Sequence, residues 1–159
     1  MGAHSRFAGI AVLIAMLAAV LTFEACDDSN ENPPLAFIDI SINPNSTMYN
    51  EINTVGGWMY LDESDGVVPP SRGLIVYRAS TDLFMAYDRT PPYRADSCCN
   101  ASKTYCTRLL VGDEYPFVVD TCTNSRYLII DGSPVSGPSN KYLYVYVTEY
   151  DGYTLYIHN

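Results

Sequence analysis

The chain has 159 residues, a formal net charge of −9 and 48% hydrophobic residues. That length holds one domain with a short tether, and 17% charged residues beside so much apolar content exclude a wholly disordered chain. The 9 Lys and Arg form no cluster, which speaks against a nucleic-acid partner, because phosphate binding needs a basic face.

At the start, Arg6 stands ahead of an apolar run, Phe7 to Phe23. The run sits at the lower limit for crossing a bilayer, about 17 residues. Its place at the N-terminus behind a positive charge is the signal-peptide arrangement. The run ends in Phe23-Glu24-Ala25-Cys26, which resembles a lipobox. The resemblance implies that residues 1–25 are removed and that the Cys26 thiol carries a lipid, making an outer-membrane lipoprotein that faces the periplasm or the cell exterior. Residues 26–34 then form a tether: Asp27 to Pro34 is polar and rich in turn formers. Its acidic run resembles the surface-export signal of Bacteroidota lipoproteins.

The rest of the chain, 35–159, reads as one β domain. Ala36 to Asn43 is the first expected strand and Val55 to Leu61 the second, opened by Gly56-Gly57 and closed by a turn over Asp62 to Gly66. Gly73 to Arg78 and Leu83 to Asp88 form a hairpin around Ala79 to Asp82. Residues 89–106 are irregular. Arg108 to Val111, Phe117 to Val119 and Tyr127 to Ile130 are short strands, and Ser133 to Asn140 is a Pro/Gly/Ser loop. Lys141 to Thr148 is the strongest strand pattern, paired with Thr154 to His158 across Glu149 to Tyr153. No stretch holds a helical period. Many short strands between turn signals predict an all-β fold, a small antiparallel sandwich or barrel.

Four cysteines remain beyond Cys26: Cys98, Cys99, Cys106 and Cys122. Adjacent Cys98-Cys99 departs from the paired Cys-x-x-Cys spacing of zinc sites. An exported compartment favours oxidation, so two disulfides are expected, with three pairings open. Tyr142, Tyr144 and Tyr146 fall at period two and share one strand face, opposite Leu143, Val145 and Val147. The aliphatic face is expected in the core. The Tyr face suits a half-buried strand, and if exposed it would stack on a glycan or seat a protein. Trp58, the single Trp, is expected to pack. Gly-x-Ser-x-Gly is absent, and the one His beyond the leader is His158, so nucleophilic catalysis has no visible machinery.

The order of elements over roughly 55–158 resembles a Rieske domain, a β fold that holds a [2Fe–2S] centre between two loops converging at one end. Phe84 to Asp88 matches the strand entering the first loop. Arg89-Thr90-Pro91-Pro92-Tyr93 stands where that family has Cys-Pro-His. Asp120 to Tyr127 stands where it has Cys-Pro-Cys-His-Gly-Ser-x-Phe, and Asp131-Gly132 to Pro138 leads to its Pro loop. The tether, the strand pattern and the Asp88-Arg89-Thr90 element look most like degenerate Rieske-like lipoproteins of Bacteroidota. The resemblance implies Pro91, Tyr93, Asp120 and Thr123 at the four ligand positions, none of them Cys or His. A Rieske centre needs two thiolates and two imidazoles, and one His cannot supply two. No cofactor or metal is therefore expected. The resemblance also implies that Cys122 pairs with Cys98 or Cys99, leaving the other for Cys106. The expectation is a non-catalytic binding or structural lipoprotein with Tyr93 at a stapled contact tip, joined to the membrane by its lipid and to an envelope protein. An electron-transfer protein with unusual iron ligands and a glycan-binding lipoprotein are the alternatives.

Overall fold

A computed structural model describes residues 34–159. The expected signal peptide, Cys26 and the tether up to Pro33 lie outside the described residues. The architecture is all-β and antiparallel, as the turn spacing predicts. In chain order the strands are β1 (Asp39–Ile42), β2 (Trp58–Leu61), β3 (Leu74–Arg78), β4 (Phe84–Asp88), β5 (Phe117–Asp120), β6 (Ser125–Leu128), β7 (Pro134–Ser136), β8 (Val145–Tyr150) and β9 (Leu155–His158). Six of them form a curled sheet in the order β1-β9-β8-β4-β3-β2, and β5-β6-β7 form a small second sheet.

Every strand of the curled sheet sends side chains into one core. Ile40 and Ile42 come from β1, Leu61 from β2, Leu74 and Val76 from β3, Phe84 and Ala86 from β4, Tyr146 from β8, and Leu155 and Ile157 from β9. The opposite faces of β3 and β4 supply Ile75, Tyr77 and Tyr87 to a second core, which Val118 and Tyr127 of the small sheet and the flanking Leu109, Val111, Ile129 and Leu143 complete. All five residues of β3 are buried, which explains an unbroken apolar run where a half-buried strand would alternate.

The buried Arg78 closes one end of the first core. Its guanidinium donates to the carbonyls of Asn53 at 2.7 Å and Thr81 at 2.6 Å, with a longer bond to Ile52 at 3.4 Å. Its guanidinium carbon also lies 4.9 Å from the centre of the Phe84 ring. Carbonyl oxygens from the end of a short 3-10 helix (Thr47–Ile52) thus offset much of the cost of burying the cation. The strand before it starts from a bulge. Gly56 N donates to Arg78 O while Arg78 N donates to Gly57 O, so two residues face one. Gly56 has a φ of 87°, and a Cβ on Gly57 would lie 1.9 Å from Glu51 O, so both positions need glycine.

Several expectations change. The 3-10 helix is too short to show a period in sequence. The strand expected at Tyr127 to Ile130 is β6, shifted to Ser125–Leu128 by its pairing with β5. Arg108 to Val111 forms only one bridge, Leu110 with Val119. The loop expected over Ser133 to Asn140 contains β7. Lys141 to Thr148 becomes Val145–Tyr150, because β8 pairs with β4 at its start and with β9 along the rest.

The two faces of this segment are corrected in part. Tyr146 is 2% exposed and belongs to the first core, while Val147 on the expected core face is 52% exposed. Tyr142 and Tyr144 precede β8 and are half-buried, so the three do not make an exposed Tyr row. Tyr146 Oη donates to Asp88 Oδ2 at 3.1 Å and accepts from Ala36 N at 3.3 Å. Tyr146→Phe should therefore cost about 1–3 kcal/mol in urea unfolding, by stranding two buried groups. Tyr153→Phe, at an exposed position, should stay within about 0.5 kcal/mol.

Burial raises the Tyr146 phenol above its ordinary range, helped by the Asp88 charge, and burial raises Tyr87, helped by Asp131. A raised folded-state pKa contributes stability that is present below the unfolded value, about 10, and is lost as pH climbs past it. The urea midpoint should hold steady up to about pH 9 and fall above about pH 10, with tyrosinate absorbance rising as unfolding proceeds.

Candidate functional site: a stapled tip

Two loops meet beyond the ends of β4 and β5, and each opens with the same device. Asp88, the last residue of β4, is fully buried and accepts from Thr90 N at 2.8 Å. Asp120, the last residue of β5, is fully buried and accepts from Cys122 N at 2.9 Å. In both, a carboxylate bonds the amide two residues on and turns the chain out of the sheet. Asp120 also accepts from the Thr123 hydroxyl at 2.5 Å. Thr123 is bonded in turn to Ser125 at 2.8 Å, whose hydroxyl accepts from Ser139 N at 3.3 Å.

One disulfide ties the loops together and a second closes the first loop on itself. Cys98 is bonded to Cys122, 24 residues away, and Cys99 to Cys106, 7 residues away. The two expected disulfides are present, with Cys122 joined to Cys98. Arg72, which sequence reasoning passed over, organises the first loop from inside. Its guanidinium donates to Ala95 O at 2.9 Å, Thr107 O at 3.0 Å and Asp96 Oδ1 at 2.9 Å. Lys103 reaches the other Asp96 oxygen at 2.8 Å. The Lys103 hydrogen bond and charge, with Arg72 adding to them, hold the Asp96 carboxyl below the usual carboxylate range.

Arg89 was also unforeseen. It is buried, its guanidinium carbon lies 3.7 Å from the centre of the Tyr60 ring, and Nε donates to Leu109 O at 3.1 Å. Tyr60 Oη bonds both backbone groups of Val111. The returning end of the first loop is thereby fastened to β2. No short motif marks these contacts, because their acceptors are carbonyls of distant residues.

The expected tip residues separate into two groups. Tyr93, Cys98, Cys122 and Thr123 line one open cavity of about 320 Å³ together with Arg94 and Pro138. Pro91 and Asp120 are buried and do not line it. These residues do not fit a [2Fe–2S] centre. Pro91 has no ligand atom, Asp120 and Thr123 are bonded to each other, and Cys98 and Cys122 share a disulfide. Among the described residues the single His, His158, lies on β9 beside Glu149 at 3.8 Å. Asp96, Cys99 and Cys106 do cluster, but the two sulfurs are bonded to each other and offer no thiolate.

Comparison with family models, curated proteins and solved structures gives no match to this chain.

In the chain-entropy account, the 24-residue separation of Cys98 and Cys122 gives about 3.5 kcal/mol of stabilisation. The 7-residue separation of Cys99 and Cys106 gives about 2.4 kcal/mol. Replacing both members of a pair by Ser should therefore destabilise more for Cys98/Cys122 than for Cys99/Cys106 in urea titration. Thiol titration of the denatured, unreduced wild-type domain should find none of the four free.

Proposed function

We propose that this chain is a non-catalytic binding module of the bacterial envelope, a Rieske-like domain without its metal, held to the membrane by lipid on Cys26. The stapled tip is its contact surface. The observation that carries this reading is the Cys98–Cys122 disulfide, which joins the two loops where a cluster would otherwise join them. The ligand-matching positions are occupied by packing and local hydrogen bonds. A tip fixed in this way has little ordering entropy left to lose when a partner docks. Above it stand Tyr93 and Arg94, with the Arg94 guanidinium carbon 6.0 Å from the centre of the Tyr93 ring. Tyr and Arg are enriched among residues that anchor protein interfaces. The partner is an envelope protein.

Three measurements test the reading. Cys26→Ala should move the protein from the membrane fraction to the soluble one; retention in the membrane would remove the anchor. In the native envelope, chemical cross-linking should give a discrete partner band for the wild type. Tyr93→Ala combined with Arg94→Glu should lose that band, and Tyr153→Ala should keep it. Protein purified from anaerobic, iron-replete cells should be colourless. Two irons and two sulfides per chain would instead make it an electron carrier.

A further inference from the structure

β2 is an edge of the curled sheet, and among the described residues no strand pairs with its outer side. Its register fixes what that side presents. Arg78 N donates to Gly57 O, and Met59 and Leu61 stand opposite Val76 and Leu74. Positions 57, 59 and 61 therefore bond β3, and the alternation of an antiparallel ladder turns the backbone N–H and C=O of Trp58 and Tyr60 outward. Protein edges are commonly blunted by Lys, by Pro or by covering chain. β2 is short and opens from the Gly56–Gly57 bulge, which limits its free edge to Trp58 and Tyr60, but it reads Trp-Met-Tyr-Leu and carries neither Lys nor Pro.

The edge also has the shape of a binding groove. Gly56 to Tyr60, five consecutive residues, line an open groove of about 610 Å³ with Glu51. A second groove, about 510 Å³, shares Tyr60 and extends past Leu110, Val119, Asp113 and Glu114. Glu114 is paired with Arg126. Glu51 and Asp113 are exposed carboxylates with no cation beside them among the described residues. The Tyr60 ring is covered by Arg89, whereas Trp58 stacks edge-on to Tyr60 at 5.2 Å and stays half-exposed.

We propose that the β2 edge binds an extended peptide of a partner protein that carries Lys or Arg at alternate positions, adding a strand beside Trp58 and Tyr60. The outward backbone groups supply the ladder, the acidic rim selects the charge, and Trp58 receives a cation on its ring. The charge pattern decides between occupants. A second copy of the chain would bring the same excess of negative charge, −9, to an acidic rim. The chain's own tether, Asp27 to Pro34, carries three acidic residues and no basic one. The second groove reaches Thr121 at the foot of the tip, but the tip cavity shares no lining residue with either groove, so variants in one leave the other's lining intact.

Trp58 is the only Trp in the chain, so its emission reports this edge directly. The probe is a heptapeptide alternating Lys and Val, titrated into the full chain in detergent. A saturable change in Trp58 emission is expected. The same peptide N-methylated on the bonding edge should bind about tenfold more weakly, having lost the two donors that meet the Trp58 and Tyr60 carbonyls. Glu51→Lys with Asp113→Lys, both exposed and safe for folding, should also weaken binding, and a Glu/Val peptide should not bind. An unchanged Trp58 signal at millimolar peptide would overturn the proposal. So would equal binding of the N-methylated form, or indifference to the charge reversals. A Trp58 change with protein concentration alone, accompanied by dimer sedimentation, would overturn it in favour of a second copy.

Discussion

The double burial of β3 and β4 is the constraint on which the rest of the molecule depends. Leu74, Val76, Phe84 and Ala86 face the curled sheet's own core, while Ile75, Tyr77 and Tyr87 face the core shared with the small sheet. A strand with water on neither side needs a cover on each. The curl of β1, β9 and β8 provides one, and β5 and β6 with the returning loop provide the other. Asp88 and Asp120 close the strands on either side of the second core, so packing sets where the two loops leave the sheets. The tip is placed by hydrophobic burial before any polar contact refines it.

Polar chemistry then fixes the tip without a metal. A cluster would bridge the two loops through one point. Here the work is divided among a disulfide, two buried carboxylates that turn the chain, and the Arg72 guanidinium enclosed by the first loop. Arg78 is satisfied by carbonyls alone, and Arg72 by two carbonyls together with the exposed Asp96 carboxylate. Carbonyls satisfy buried guanidinium groups without placing a second ion in low dielectric, which avoids the desolvation cost of a buried ion pair.

The fold class was legible because turn residues recur at short intervals and because Gly73 to Arg78 and Leu83 to Asp88 read as a hairpin in their own right. β8 was displaced because periodicity reports side-chain direction and not partner exchange. Its N-terminal end belongs to β4 and the remainder to β9, and the alternation is kept, so Tyr146 and Tyr150 face the first core and Val145 the second, while Val147 on the Val145 side is exposed. β6 was displaced because Ser125 and Arg126 carry no strand signature; Ser125 is buried for its hydrogen bonds. The cysteines were legible as staples from their number and compartment. Arg72 and Arg89 were not, since a guanidinium bound to remote carbonyls leaves no pattern in the chain.

Cys98 and Cys99 are neighbours in sequence yet belong to different disulfides. The two bridges therefore share a pivot of one peptide unit. Loss of Cys122 alone would leave a thiol at Cys98 next to the intact Cys99–Cys106 bond, within the same short segment. A thiolate so placed exchanges with its neighbour, giving a mixture of bridged forms. Both bridges, though separate in the folded tip, are chemically one unit: the outer staple protects the inner one from rearrangement by keeping its nearest nucleophile occupied.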